Sequence, residues 1–204
     1  GVLNRGKQVR ADEQTIQRRR SSDRLQPEAP AEAAQEAEAL PPFRDAEVFR
    51  KLASQQIAPD ATLEVIPTLR ERLKVDLGDG APEKSLTPEQ DNALDVVDRF
   101  FMSLLKNNKI EPRAKRQLRS LEVPILRQYM RQPDFFVQKD NPARQVINRI
   151  AQLGVKGNRA PAHQIHQIDQ LVVRIQNEHE ADQGVFADTL KDLDDLRAKQ
   201  RNLC

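Results

Sequence analysis

Three histidines, His163, His166 and His179, are the side chains best suited to chemistry in this sequence. His163 and His166 stand three apart, so on a helix they share a face and could hold a metal ion. The one cysteine is the final residue, Cys204, and no acidic third ligand falls in obvious register. The spacing therefore predicts no metal site. No Gly-x-Ser-x-Gly elbow, P-loop or cysteine-nucleophile setting occurs either. The residue pattern predicts no catalysis and no cofactor.

Basic residues offer a second kind of chemistry. Arg18, Arg19 and Arg20 could bind phosphate, and Arg20 with Arg24 makes an Arg-x-x-x-Arg spacing used by some cyclic-dinucleotide receptors. Nothing downstream completes that signature, so a solvated basic linker is the reading. Gly78-Asp79-Gly80 lacks the strand and the Lys-Ser/Thr of a phosphate cradle. Gly154-Val155-Lys156-Gly157 is spaced like an RNA-binding Gly-x-x-Gly loop but lacks flanking strands. The strongest basic run spans residues 106–131, where Arg113, Arg116, Arg127 and Arg131 lead eight basic residues against two acidic ones. Only Tyr129 interrupts it as an aromatic, so base stacking is poorly served. A nucleic-acid interface on this run is the alternative reading, and the acidic residues Asp188, Asp192 and Asp195 offer an internal counterpart to it.

The stretch "QPDFFVQKDNPARQVI" (132–147) gathers a proline, paired aromatics and a helix start in a chain with 4% aromatics. Pro133 ends one helix, Asn141 is a natural N-cap and Pro142 fits the first helical position. Phe135 and Phe136 are expected to pin this corner to the core, with Arg144 pointing back at Asp134 or a carbonyl. A ligand pocket formed by Phe135, Phe136, Asn141 and Arg144 is the sharper version.

These groups must be positioned by helices. Ala, Leu, Glu, Gln, Lys and Arg abound, while Gly numbers seven and Trp is absent. Val48, Phe49 and Leu52 share one face, and Pro67 starts or kinks the next helix. Thr87, Pro88 and Gln90 spell a capping box before a helix to about Lys106. Glu111-Pro112 opens another helix, and Pro124 kinks it or starts a successor. Gly154 stands where a helix C′ residue belongs. From Ile165 a heptad seam runs to Leu196 with seven of ten positions apolar, His179 and Asp182 being polar breaks. It predicts one helix over 162–202, roughly 60 Å long, in preference to a hairpin that folds back at His179 and Asp182, with Phe186 on a surface that a partner or second copy could cover.

Residues 1–42 carry too little apolar surface to order themselves and are expected to form a disordered tail before a helical domain over 43–204. Lys+Arg of 33 against Asp+Glu of 31 gives no overall reason for a polyanionic partner. No apolar run suits membrane insertion, and the lone cysteine suits a reducing, cytoplasmic setting. The absence of an initiator Met suggests a piece of a longer protein.

The run from Leu94 to Gly154, with its Leu-Asp-x-Val…Phe helix, Leu-x-x-Pro-x-Leu-Arg helix, Asp-Phe-Phe and Pro-Ala-Arg, resembles a family of long bacterial proteins. The later "VFADTLKDL" continues the likeness. That family is filed as a domain of unknown function, with members sometimes labelled thymidine phosphorylases. Glu122 stands where the pattern has Gln, and Asn141 where it has His. The resemblance implies a helical module of a larger bacterial cytosolic protein, with cyclic-di-GMP-related signalling as its setting. The expectation is an all-α, irregular bundle with a long C-terminal helix. It would serve as a non-enzymatic scaffold or regulatory module that works through a protein partner, with a weak homodimer as a further option.

Overall fold

The structure is a computed structural model that describes residues 40–61, 65, 67–76, 84–158 and 160–202. Those residues form an all-α fold: α1 (Asp45–Ala53), α2 (Leu69–Asp76), α3 (Pro88–Leu105), α4 (Pro112–Arg119), α5 (Glu122–Arg131), a 3₁₀ turn (Pro133–Phe136), α6 (Pro142–Leu153), α7 (Ala162–Glu178) and α8 (Val185–Arg201). The tail expected over 1–42 lies outside the described residues except at its end. There Ser85 binds the chain, its amide donating to the Pro41 carbonyl at 3.0 Å and its hydroxyl to that of Leu40 at 3.1 Å.

Caps set the helix starts. Thr87 Oγ1 accepts the Gln90 amide at 3.1 Å while Gln90 Oε1 accepts the Thr87 amide at 3.0 Å. The Gln90 Nε2 also donates to the Phe43 carbonyl at 3.0 Å and to Asp45 Oδ1 at 2.8 Å, so the cap of α3 holds the start of α1. Asp98, inside α3, accepts the amides of Leu69 (2.8 Å) and Arg70 (3.2 Å) and caps α2 from another helix. Asn141 Oδ1 accepts the amides of Ala143 and Arg144 at 3.0 and 3.4 Å and starts α6.

Pro124 decides the break between α4 and α5. Its ring excludes the carbonyl of Ser120 from helical pairing and removes the amide that would have met it. The chain turns at Ser120–Leu121, and Pro124 falls within the first turn of α5. The orphaned Ser120 carbonyl accepts Gln176 Nε2 of α7 at 2.8 Å, and the same amide group donates to the Ile57 carbonyl at 2.8 Å. One glutamine thus ties α7 to the loop after α1 and to the end of α4.

The expected continuous helix over 162–202 is two helices. His179 ends α7, and the chain turns before Gly184. Asp182 Oδ1 accepts the Gly184 amide at 2.7 Å, a local bond that competes with the helical ladder, and glycine adds its own helical penalty. Arg174 reaches Thr189 and Asp192, and the start of α7 lies beside the end of α8, so the helices run antiparallel. The heptad seam is therefore a hairpin that closes on one core: Ile168, Val172, Ile175, Phe186, Leu193 and Leu196 are all buried. The seam pattern predicts the first half on the 142–153 helix and the second on the 87–106 helix, and the halves dock otherwise. The second half, α8, lies on α6, while α7 packs on α4 and α5, and α3 takes α5 and α2 as its neighbours.

Gly154 is the other correction. It is the C-cap of α6 with φ −93°, not a left-handed C′ residue. A Cβ there would sit 2.1 Å from the Cβ of Ala114. The glycine lets the end of α6 touch the start of α4, where the Glu111 amide donates to the Gly154 carbonyl at 2.8 Å and Lys156 to that of Lys109 at 2.7 Å.

Candidate functional site

At the corner, Phe135 is fully buried and Phe136 half-buried. Phe136 joins Phe135 (4.7 Å between ring centroids), Phe100 (4.7 Å) and Tyr129 (5.5 Å) in tilted or edge-on contacts. Asn141 caps as described, and its Nδ2 lies 3.3 Å from Gln132 Oε1. The Arg144 side chain does not meet Asp134, whose carboxylate instead accepts the Gln138 side-chain amide. The corner binds the loop to the α3–α5 layer.

The basic run is divided among separate partners. Arg113 pairs with Asp169, which also accepts Gln117 Nε2 at 2.8 Å. Arg119 Nε meets Glu122 at 2.7 Å, and its terminal nitrogen donates to the Pro67 carbonyl at 2.8 Å. Arg116 is half-buried with its Nε unpartnered, and Arg131 is exposed. Of the expected acidic counterpart, Asp192 meets an arginine outside the basic run, Arg174 at 2.9 Å, and its neighbour Asp194 meets Arg149 at 2.6 Å. Phe186 is 4% exposed and belongs to the core, so it offers no surface.

A buried ionic cluster lies beneath α2, α3 and α5. Glu122 is 2% exposed and pairs with both Arg72 and Arg119. Burial pushes its carboxyl up to about 7 against the pull of Arg72 and then Arg119. Burial likewise raises Asp98, opposed by the Leu69 and Arg70 amides. Such a carboxylate would suit acid–base work, but two guanidiniums seal it from solvent.

The open site is a cleft of about 350 Å³ between α1, α5 and the end of α7. Phe49, Ala46, Ala53 and Val123 supply apolar wall, and Arg50, Arg127, His179 and Glu180 supply polar groups. The Arg127 guanidinium lies over the Phe49 ring, 4.0 Å from its centroid, which fixes the plane of the fork. Its ion pair is with Glu180 at 3.8 Å, a carboxylate whose side chain is 75% exposed. His179 is 6% exposed, and its Nδ1 has no partner. Desolvation, then the charge of Arg127, holds the imidazole down to about 4, so it is neutral at pH 7. The cleft thus sets the Arg127 fork and a neutral imidazole beside an apolar wall. His163 and His166 are exposed on α7, remote in sequence from His179, and His166 Nε2 lies 3.2 Å from the Gln170 amide nitrogen.

Residues 24–182 match the family model described as "Protein of unknown function (DUF1631) 2nd domain". The chain belongs to this family. The DUF1631 second-domain match runs from before α1 to the turn after α7, so it takes in every element that lines the cleft, while α8 lies beyond it. No curated protein matches the chain, and no solved structure does.

Sequence reasoning named Arg127 but missed the cleft. His179 was visible as a polar break in a heptad, a signal that something must satisfy or hydrate it. That Phe49, 78 positions earlier, would lie under Arg127 had no local signature.

Proposed function

We propose that the chain is a non-catalytic helical interaction module of a larger bacterial cytosolic protein, and that it grips a polypeptide partner in the α1–α5–α7 cleft. The observation that carries this reading is an open cleft in which the Arg127 guanidinium, laid over Phe49, has its charge met by one exposed carboxylate 3.8 Å away. A cation met only by a loosely held surface carboxylate is one that a ligand can engage. The cleft lining contains no serine or cysteine nucleophile, and its imidazole is too weak a base at neutral pH to abstract a proton efficiently. The family resemblance points to cyclic-di-GMP-related signalling as the setting of this regulatory role. A nucleic-acid role for residues 106–131 is disfavoured because Arg113 and Arg119 are engaged inside the molecule.

Capture with the immobilised chain tests this reading, using wild type and Arg50→Glu. Arg50 is exposed at the cleft rim, so the substitution leaves the core untouched. A protein retained by wild type, lost by the variant and indifferent to nuclease is the expected result. Retention that nuclease abolishes, or that Arg50→Glu leaves intact, overturns it.

A further inference from the structure

The cleft carries information about what it would hold. Its lining has two guanidiniums, Arg50 and Arg127, and one carboxylate, Glu180. The imidazole of His179 lines the cleft without adding charge. Glu180 stands 3.8 Å from Arg127, beyond hydrogen-bond reach, and most of its side chain is in water. It is a loosely held occupant of the position that a better acceptor would take. The Arg127 fork is already flattened on Phe49, so pairing it with a planar carboxylate costs little further ordering. Beside the fork, Ala46, Phe49, Ala53 and Val123 form a wall that suits an aliphatic side chain.

From these contacts we infer that the cleft recognises an acidic peptide segment of a partner, one of whose carboxylates displaces Glu180 from Arg127 while a neighbouring aliphatic side chain covers the Phe49 wall. This rests on the cleft being the partner site. A monoanionic carboxylate fits two cations and one retained anion better than a phosphate dianion does, and a peptide fills the apolar half that a free ion leaves empty. Glu180 then acts as an internal competitor whose removal strengthens binding.

The test uses the full 204-residue chain and acetyl-Leu-Glu-Leu-Glu-Leu-amide, with its Gln-for-Glu counterpart and inorganic phosphate as the other arms. Binding is read by titration calorimetry and by the Arg127 Nε–H and His179 ring signals in NMR. The acidic peptide should shift both signals, and its Gln counterpart should not. Glu180→Gln should bind about two- to fivefold more tightly, the range of an exposed ion pair. Arg127→Lys, which keeps the charge over Phe49 but loses the fork, should weaken binding by about tenfold or more. Equal binding of the Gln peptide, or unchanged or weaker binding by Glu180→Gln, overturns the carboxylate assignment. Phosphate displacing the peptide at equal concentration also overturns it and leaves a bare oxyanion site. If the peptide fails while Arg50→Glu still abolishes partner capture, the inference falls and the cleft reading survives. If Arg50→Glu changes no capture, the cleft reading itself has failed.

Discussion

At the scale of single residues, two buried titratable groups bend the pH dependence of stability in opposite directions. His179 is held down to about 4 from an ordinary 6.5, so the unfolded chain takes its proton first. Stability from this group is full above 6.5 and is lost as pH falls from 6.5 to 4, by about 3 kcal/mol at 1.36 kcal/mol per unit. Glu122 is raised from 4.5 to about 7, so the folded chain binds its proton first. Its contribution is full below 4.5 and is lost as pH rises through 7, again by about 3 kcal/mol. Asp98 is raised too and acts with Glu122. The two effects offset each other between pH 4.5 and 6.5 in the native chain. Urea titrations across pH should separate them. His179→Asn should gain stability on acidification from pH 7 to 4.5, and Glu122→Gln should lose it from 6.5 to 4. Parallel slopes in the two variants would show that neither group carries the dependence. The residue scale is also where the sequence was most legible. Thr87, Gln90, Asn141 and Pro142 do locally what their types dictate, because a cap needs only its own next three residues. Arg144 was misread because its expected partner, Asp134, had a nearer donor in Gln138.

At the scale of elements, the contact between α4 and α6 turns on one missing methyl group. Gly154 faces Ala114, which is 4% exposed, and the carbonyl of Ile150 lies 3.3 Å from the position a Cβ would take. Gly154→Ala should therefore overpack the junction and cost about 1–3 kcal/mol in thermal or urea unfolding. Ala114→Gly should be destabilising alone, through its helical penalty and a small void, but should recover part of the loss when combined with Gly154→Ala. Additive losses in the double variant would place the strain elsewhere. The α7–α8 hairpin shows the limit of periodicity at this scale. The heptad correctly marked which side chains turn inward, since Ile168, Val172, Ile175, Leu193 and Leu196 are buried on both arms. A period of seven persists across a tight turn as readily as along a rod, so it could not tell one helix from two. The deciding features were Asp182 and Gly184, whose local bond ends the ladder.

For the whole molecule, one contiguous core joins α1 through α8, with Phe49, Phe101, Leu118, Ile125, Ile150, Ile175 and Phe186 in the same cluster. This changes what Phe186→Asp should do. A separable arm would lose hydrogen-exchange protection over α8 alone, but a residue 4% exposed in a shared core carries an unpaired charge into all of it. The expected result is loss of protection across every described helix together, with no stable folded state at neutral pH. Protection surviving in α1–α7 would show that α8, the helix beyond the family match, is an independent appendage.

The sequence by itself determined the helical class, most helix starts and most of the inward faces, because propensity, capping and amphipathic spacing act over a few neighbours and need no distant partner. It also placed the fully buried Phe135 on the inward side of its corner. Tertiary structure alone decided that α8 lies on α6 and that Arg113 turns inward to Asp169. It alone set Phe49 beneath Arg127 and left His179 buried in an open cleft. Those outcomes depend on residues scores of positions apart, whose meeting is fixed by how the eight described α-helices share one core and not by any local rule.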